Sequence, residues 1–178
     1  IIAANEGNAV GLAIGHHLGT GGIPLVYLQN SGLGNAINPL LSLADEKIYG
    51  IPMILLIGWR GHPGMIDEPQ HITQGATTID LLKTMNIETL LIDKNTTLEQ
   101  IRALVSVVGE TSKPVAIVVK NGTFQKYRNA QFERETKLIS RERTIEIITE
   151  CAPKEARYVA TTGKSPRELF EIRNSRNE

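Results

Sequence analysis

Ala3-Ala4-Asn5-Glu6-Gly7-Asn8-Ala9-Val10-Gly11-Leu12-Ala13-Ile14-Gly15 is the stretch whose reading decides the fold. The apolar run Ile1 to Ala4 ends in the polar corner Asn5-Glu6, and a helical pattern of small residues begins at once. This predicts a buried strand turning into a helix with Glu6 at the turn, the place where open α/β sheets put their ligands. On residue types alone, Asn5 serves equally as an N-cap and Glu6 as a first-turn carboxylate favoured by the helix dipole.

Outward from that corner, strands and helices alternate. The apolar spacing predicts a helix over 7–20, whose Gly11 and Gly15 suggest close packing, then a short strand at 24–28 that ends in Gln29-Asn30-Ser31-Gly32-Leu33-Gly34-Asn35. A second helix is expected over 36–47. Pro52 to Ile57 is a continuous apolar run, as in a strand covered on both faces. Residues 58–75 have no period and read as a long loop, of the kind that carries function. A helix over 77–85, a strand at 88–92, a helix over 97–108 and a strand at 114–119 complete the pattern. It predicts an α/β fold: a parallel sheet with right-handed crossovers and helices on both faces.

Beyond residue 120 the composition turns polar and charged. Residues 121–138 read as a linker, with Phe124, Tyr127 and Phe132 as its large apolar groups. A helix capped by Ser140 should run to Glu150, followed by a strand at 157–160 and a helix over 165–173. The expected organisation is a domain over 1–120, the linker, and the start of a second α/β domain over 139–178.

Composition removes several classes of function. Lys plus Arg equals Asp plus Glu at 19 each, so no overall field draws the chain to nucleic acid or an anionic membrane. Any anionic ligand must be met locally. A single cysteine, Cys151, permits no intrachain disulfide and no thiolate metal cluster, as expected in the cytoplasm. No apolar run has the length of a membrane span.

Two nucleotide signatures fail on spacing. Gly32-Leu33-Gly34 would need a third glycine where Ile37 stands, and Gly163-Lys164-Ser165 would need one where Tyr158 stands. His62, Asp67, Glu68 and His71 match no metal-ligand spacing. What remains is Glu6 together with the Gln29–Asn35 loop, both at carboxyl ends of strands and able to face one crevice. Gly32 and Gly34 allow close approach to the backbone, while Asn30, Ser31 and Asn35 supply neutral hydrogen bonds. A tight strand-to-helix turn capped by Ser31 or Asn35 uses the same residues.

Ala4-Asn5-Glu6-Gly7-Asn8-Ala9-Val10-Gly11, Tyr27 to Ala36, Gly58-Trp59-Arg60-Gly61 and Asp67-Glu68-Pro69-Gln70-His71 together resemble the phosphonopyruvate decarboxylase family. These are thiamine diphosphate enzymes close to the sulfopyruvate decarboxylases. The resemblance runs in order along nearly the whole chain and includes Thr161 to Leu169, which is similar to the start of that family's second domain. It implies the pyrimidine-binding fold, with Glu6 as the glutamate that shares a proton with the aminopyrimidine ring. It also implies decarboxylation of a 2-oxo acid, the cofactor acting as electron sink. A Glu6 carboxyl desolvated under the cofactor's heteroaromatic ring would have its acid form favoured, opposing the helix terminus that favours the anion.

Asn30, Ser31, Gly32 and Asn35 are the expected cofactor-binding companions of Glu6. Asn30, Ser31, Arg60 and His71 are the expected substrate-binding residues, with Trp59 walling the pocket. Arg60 could equally form an ion pair with Asp67 or Glu68, and His71 could anchor the loop. The family's metal and diphosphate motif, Gly-Asp-Gly followed by Asn, is absent, so Mg2+ is expected to be held by a part of the second domain not present here. The family's first strand and helix are also expected to precede Ile1. The implied working unit is a homo-oligomer, a dimer or larger, with the site between subunits. Sulfopyruvate decarboxylation and a non-catalytic association domain are the competing expectations.

Overall fold

A computed structural model of the chain describes residues 1–125, 139–153, 155–160 and 163–177. Two compact units divide it, residues 1–126 and 127–178.

The first unit is built on four parallel strands, β1 (Leu25–Gln29), β2 (Met53–Gly58), β3 (Glu88–Ile92) and β4 (Pro114–Val119), in the order β1-β2-β4-β3. Helices α1 (Glu6–Thr20), α2 (Leu33–Pro39), α3 (Pro69–Thr84) and α4 (Leu98–Thr111) surround them. The pleat sorts the apolar side chains. Val26, Leu28, Met53, Leu55, Ile57, Ala116 and Val118 pack with Val10 and Ile14 of α1, Leu33 and Ala36 of α2, and Leu82 of α3. The opposite face presents Ile92, Val115 and Ile117 to Leu104 and Val108 of α4. Helices therefore cover both faces, as the alternation of elements predicts. Each fully buried Leu or Ile contributes about 2 kcal/mol in this arrangement.

Three departures bear on the site. Residues 1–4 form no strand, and Ile1 and Ile2 are fully exposed, because no strand of the described sheet runs beside them. Gly11 and Gly15 have open space around them, and the close-packed glycine of α1 is Gly7. The helix expected over 36–47 is broken up: a 3-10 turn at Asn30–Gly32 leads into α2, which ends at Pro39 and widens into a π turn at Leu40–Ala44. Pro39 has no N–H to give the carbonyl of Asn35 four residues back. That carbonyl instead approaches α1, where a Cβ on Gly7 would lie 2.8 Å from it.

The long aperiodic loop is also shorter than expected, since α3 already begins at Pro69. Pro at the first helical position suits a helix start. The buried side of α3 consists of Gly75, Thr78 and Leu82, so no apolar period marks its first two turns in the sequence.

In the second unit α5 (Arg141–Cys151) and α6 (Lys164–Ser175) pack together through Arg141–Glu168 and Arg176–Glu150 ion pairs, with no buried residue in either helix. The strand expected at 157–160 is irregular chain with Val159 exposed, and no other strand among the described residues of this unit lies beside it to pair. Most of the expected linker, Tyr127 and Phe132 included, lies outside the described residues, as do Thr161 and Thr162. Among the described residues no helix is long and apolar enough to cross a membrane.

Candidate functional site

The strand register places four chain exits along one edge of the sheet. Gln29 pairs with Gly58, Gly58 with Val119, and Val119 with Ile92, so Asn30, Trp59, Lys120 and Asp93 all leave the sheet at its carboxyl edge. α1 begins beside β1 on this edge, next to the 3-10 turn and α2 that follow β1. Asn5 caps α1 by accepting the N–H of Asn8 at 2.9 Å, which fixes Glu6 as the first helical residue.

From there the Glu6 side chain reaches across to the loop after β1. The Asn35 amide Nδ2 donates to Glu6 Oε2 at 3.0 Å. The rest of the side chain lies over Gly32, where a Cβ would fall 2.2 Å from Oε1 and 2.3 Å from Cγ and Cδ. Glu6, Gly32 and Asn35 are thus brought together. The Asn35 hydrogen bond, helped by the backbone N–H of Glu6, lowers the Glu6 pKa below its ordinary 4.5; burial opposes this and is outweighed. In this structure an amide donor aimed at the carboxylate stabilises its charge, whereas the acid form expected from the sequence concerns the carboxyl covered by the cofactor's ring.

Asn30 does not belong to the exposed set. It is 4% exposed, and its amide donates both to the carbonyl of Arg60 and to Thr78 Oγ1, each at 3.0 Å. Its Oδ1 accepts the N–H of Arg60 at 2.9 Å. Both amide hydrogens are used, so Asn30 bridges the exits of β1 and β2 to α3, and the structure places this expected ligand-binding residue as an internal brace rather than at the exposed face of the loop. Ser31 is half-buried and donates to Gln29 Oε1 at 2.7 Å.

Arg60 turns to Asp67. Nε donates to Oδ2 at 2.8 Å and Nη2 to Oδ1, while the N–H groups of Gly61 and Glu68 donate to the same carboxylate at 2.8 Å each. The Asp67 side chain is 4% exposed and that of Arg60 is 40% exposed. The Arg60 guanidinium holds the Asp67 carboxyl well below the usual range, aided by the two backbone donors, and Asp67 in turn raises the Arg60 pKa. The ion pair expected as an alternative for Arg60 is present with an interior acid rather than as a surface contact.

Trp59 is 8% exposed, gives its Nε1–H to the Gly75 carbonyl at 2.8 Å, and contributes to the groove above β1, β2 and β4. His71 stands in the first turn of α3, half-buried, with Nδ1 shielded from solvent and without a hydrogen-bond partner among the described residues. The loop after β2 presses on α3 closely. A Cβ on Gly61 (φ +63) would lie 2.0 Å from the His71 carbonyl, and one on Gly75 would lie 1.8 Å from the Gly61 carbonyl. Thr78 and Gly75 are the organising residues that sequence reasoning did not place, while Asp67 is the ion-pair partner it offered for Arg60. The spaced glycines at 61 and 75 were the available signal.

A carboxylate at a helix start, held over a glycine by one amide and with Oε1 free of side-chain partners among the described residues, can receive a proton-bearing ring nitrogen. Residues 1–91 match the family described as thiamine pyrophosphate enzyme, N-terminal TPP binding domain. The chain belongs to this family. Its four-stranded parallel sheet with helices on both faces is the thiamine pyrophosphate enzyme's pyrimidine-binding fold.

The chain is similar to the phosphonopyruvate decarboxylases of Streptomyces viridochromogenes, 34% identical over 190 residues, and Streptomyces hygroscopicus, 32% identical over 191. Each alignment covers 97% of this chain but only 47% and 46% of the relative. It is also similar to the sulfopyruvate decarboxylase subunit alpha of Methanothermobacter thermautotrophicus, 37% identical over 82 residues, or 46% of this chain and 47% of that one. The chain therefore spans about half the length of the phosphonopyruvate decarboxylases it matches.

The residues present fit the pyrimidine end of thiamine diphosphate, for which Glu6 offers an acceptor and Gly32 the space beneath it. Among the described residues no cluster of His, Cys, Asp and Glu could hold a metal ion.

Proposed function

We propose that this chain is the pyrimidine-binding portion of a thiamine diphosphate-dependent decarboxylase that converts phosphonopyruvate to phosphonoacetaldehyde and carbon dioxide. The observation that carries the reading is the Glu6 carboxylate, set over Gly32 at the start of α1 in a family whose members bind this cofactor. The similarity to two phosphonopyruvate decarboxylases over 97% of the chain supports the substrate. Sulfopyruvate is the second reading, supported by the shorter match to sulfopyruvate decarboxylase subunits.

When bound, thiamine diphosphate supplies the electron sink that makes loss of carbon dioxide from a 2-oxo acid feasible. The chain's own residues act around it. Glu6, an anion at neutral pH, accepts and holds a proton at one carboxylate oxygen, and Asn35 fixes the rotamer by its bond to the other. Gly32 leaves room for that side chain. Arg60, Ser31 and His71 are the groups we assign to the substrate, Arg60 meeting its negative charge.

Mg2+ and the diphosphate would be held by a second domain, of which residues 139–178 are the opening, and the working unit is a homo-oligomer with the site shared between subunits. We place the enzyme in the cytoplasm, where the exposed thiol of Cys151 would stay reduced. The test is release of carbon dioxide from phosphonopyruvate and sulfopyruvate by the complete protein with cofactor and magnesium. Turnover of phosphonopyruvate at the higher kcat/KM is expected. Faster turnover of sulfopyruvate selects the second reading, and turnover of neither removes both.

A further inference from the structure

Lys120 leaves β4 one residue after Val119, which is in register with Gly58 of β2; Arg60 leaves β2 two residues after Gly58. Neighbouring strands lie about 4.8 Å apart, so the two exits are adjacent. Both residues line the groove above the carboxyl ends of β1, β2 and β4, together with Gln29, Asn121 and Thr123. Among the described residues Asp67 is the one carboxylate in that lining, and its side chain is turned inward with both oxygens occupied by N–H donors. Among the described residues, the lining offers a ligand two cations and neutral polar groups, with Glu68 acting on Arg60 and Asp93 on Lys120 from outside it.

Neither cation is used up by its acid. Arg60 commits Nε and Nη2 to Asp67, which orients the guanidinium and leaves Nη1 for a ligand. The Lys120 ammonium has Asp93 at 4.0 Å, with side chains 36% and 43% exposed. A long, solvent-screened pair of this kind holds an ammonium weakly. A fork and a point charge side by side suit a tetrahedral anion with three acceptor oxygens. Tyr27 lines both this groove and the one beside Glu6, so the two adjoin across β1.

We propose that Lys120 and Arg60 together bind the second anion of the substrate, and that Lys120 sets the preference for 2-oxo acids carrying a phosphonate or sulfonate. This rests on the decarboxylase reading above. The position of Lys120 among the β-strand exits, rather than any motif, is what singles it out.

KM and kcat for phosphonopyruvate and sulfopyruvate are to be measured in the complete enzyme as wild type, Lys120→Met and Lys120→Arg, with Lys120→Gln as a second neutral variant should Lys120→Met fail to fold. Loss of the ammonium should raise KM on the order of tenfold for the acid whose tail the groove binds, with a much smaller change in kcat. Lys120→Arg should restore most of the affinity, and the salt dependence of KM should flatten in the neutral variants. A larger rise for one acid identifies its tail as the one held. Unchanged KM for both acids in an active, folded neutral variant overturns the inference and leaves the decarboxylase reading intact; a wild type that turns over neither acid removes the reading itself.

Discussion

The Glu6 side chain lies across Gly32 so closely that a single methyl group at residue 32 would fall 2.2 Å from its carboxylate oxygen. Gly32 has φ −89 and ψ −6, a conformation open to any residue. The glycine is therefore required by the neighbouring carboxylate and not by its backbone. Gly32→Ala should displace a flexible side chain without straining the chain, shifting unfolding free energy by no more than about 1 kcal/mol. Activity should fall at least about tenfold, because the proton-holding group is moved. A thermal melt and a steady-state assay on the same sample check both halves.

Gly75→Ala offers the contrast. There the added Cβ would lie 1.8 Å from the Gly61 carbonyl and 2.6 Å from that of Arg60, and backbone cannot step aside. Overpacking of this kind costs about 1–3 kcal/mol or more, and the loop carrying Arg60 should detach from α3. Urea unfolding should report a clear loss, several-fold larger than for Gly32→Ala.

Asn30 should behave as a structural residue. Replacing it with Ala removes three hydrogen bonds and leaves the Arg60 N–H, the Arg60 carbonyl and the Thr78 hydroxyl each without that partner. A loss of about 1–3 kcal/mol in unfolding free energy is expected. If Asn30→Ala kept its stability and lost only substrate affinity, the ligand role read from the sequence would hold and the bracing role would not.

Acid should weaken the protein through Asp67. Its folded-state pKa is depressed below the unfolded value, so its stabilisation is fully present above the ordinary aspartate range. That contribution drains away as pH falls from about 4, where the unfolded chain starts to bind the proton that the folded one refuses. Stability measured in urea from pH 7 to pH 3 should decline more steeply for wild type than for Asp67→Asn. Parallel profiles would contradict the assignment.

The four sheet strands were legible as apolar runs between turn signals, β3 and β4 beginning and ending where the sequence predicts, although the run Ile1–Ala4 read the same way and forms no strand. Glu6 at a helix start was legible because Asn5 is a plain capping residue. Other features depend on tertiary packing that leaves no periodic trace. The polar inner side of α3 hid its first two turns, and Pro39 reshaped α2 through a carbonyl four residues away. The direction of the Asn30 side chain is decided by Thr78, 48 residues on. The balance of charge at Glu6 depends on Asn35, whose amide can reach the carboxylate only once α2 is folded against α1.

Exchange of the C2 proton of bound thiamine diphosphate with deuterated solvent tests the role of Glu6 most directly, because it reads cofactor activation with no substrate present. In the complete enzyme, Glu6→Gln should bind the cofactor with its fold intact and slow that exchange by a factor on the order of 100 or more, the usual weight of a positioned proton-transfer group. A Glu6→Gln protein that exchanges the proton at the wild-type rate would contradict the account.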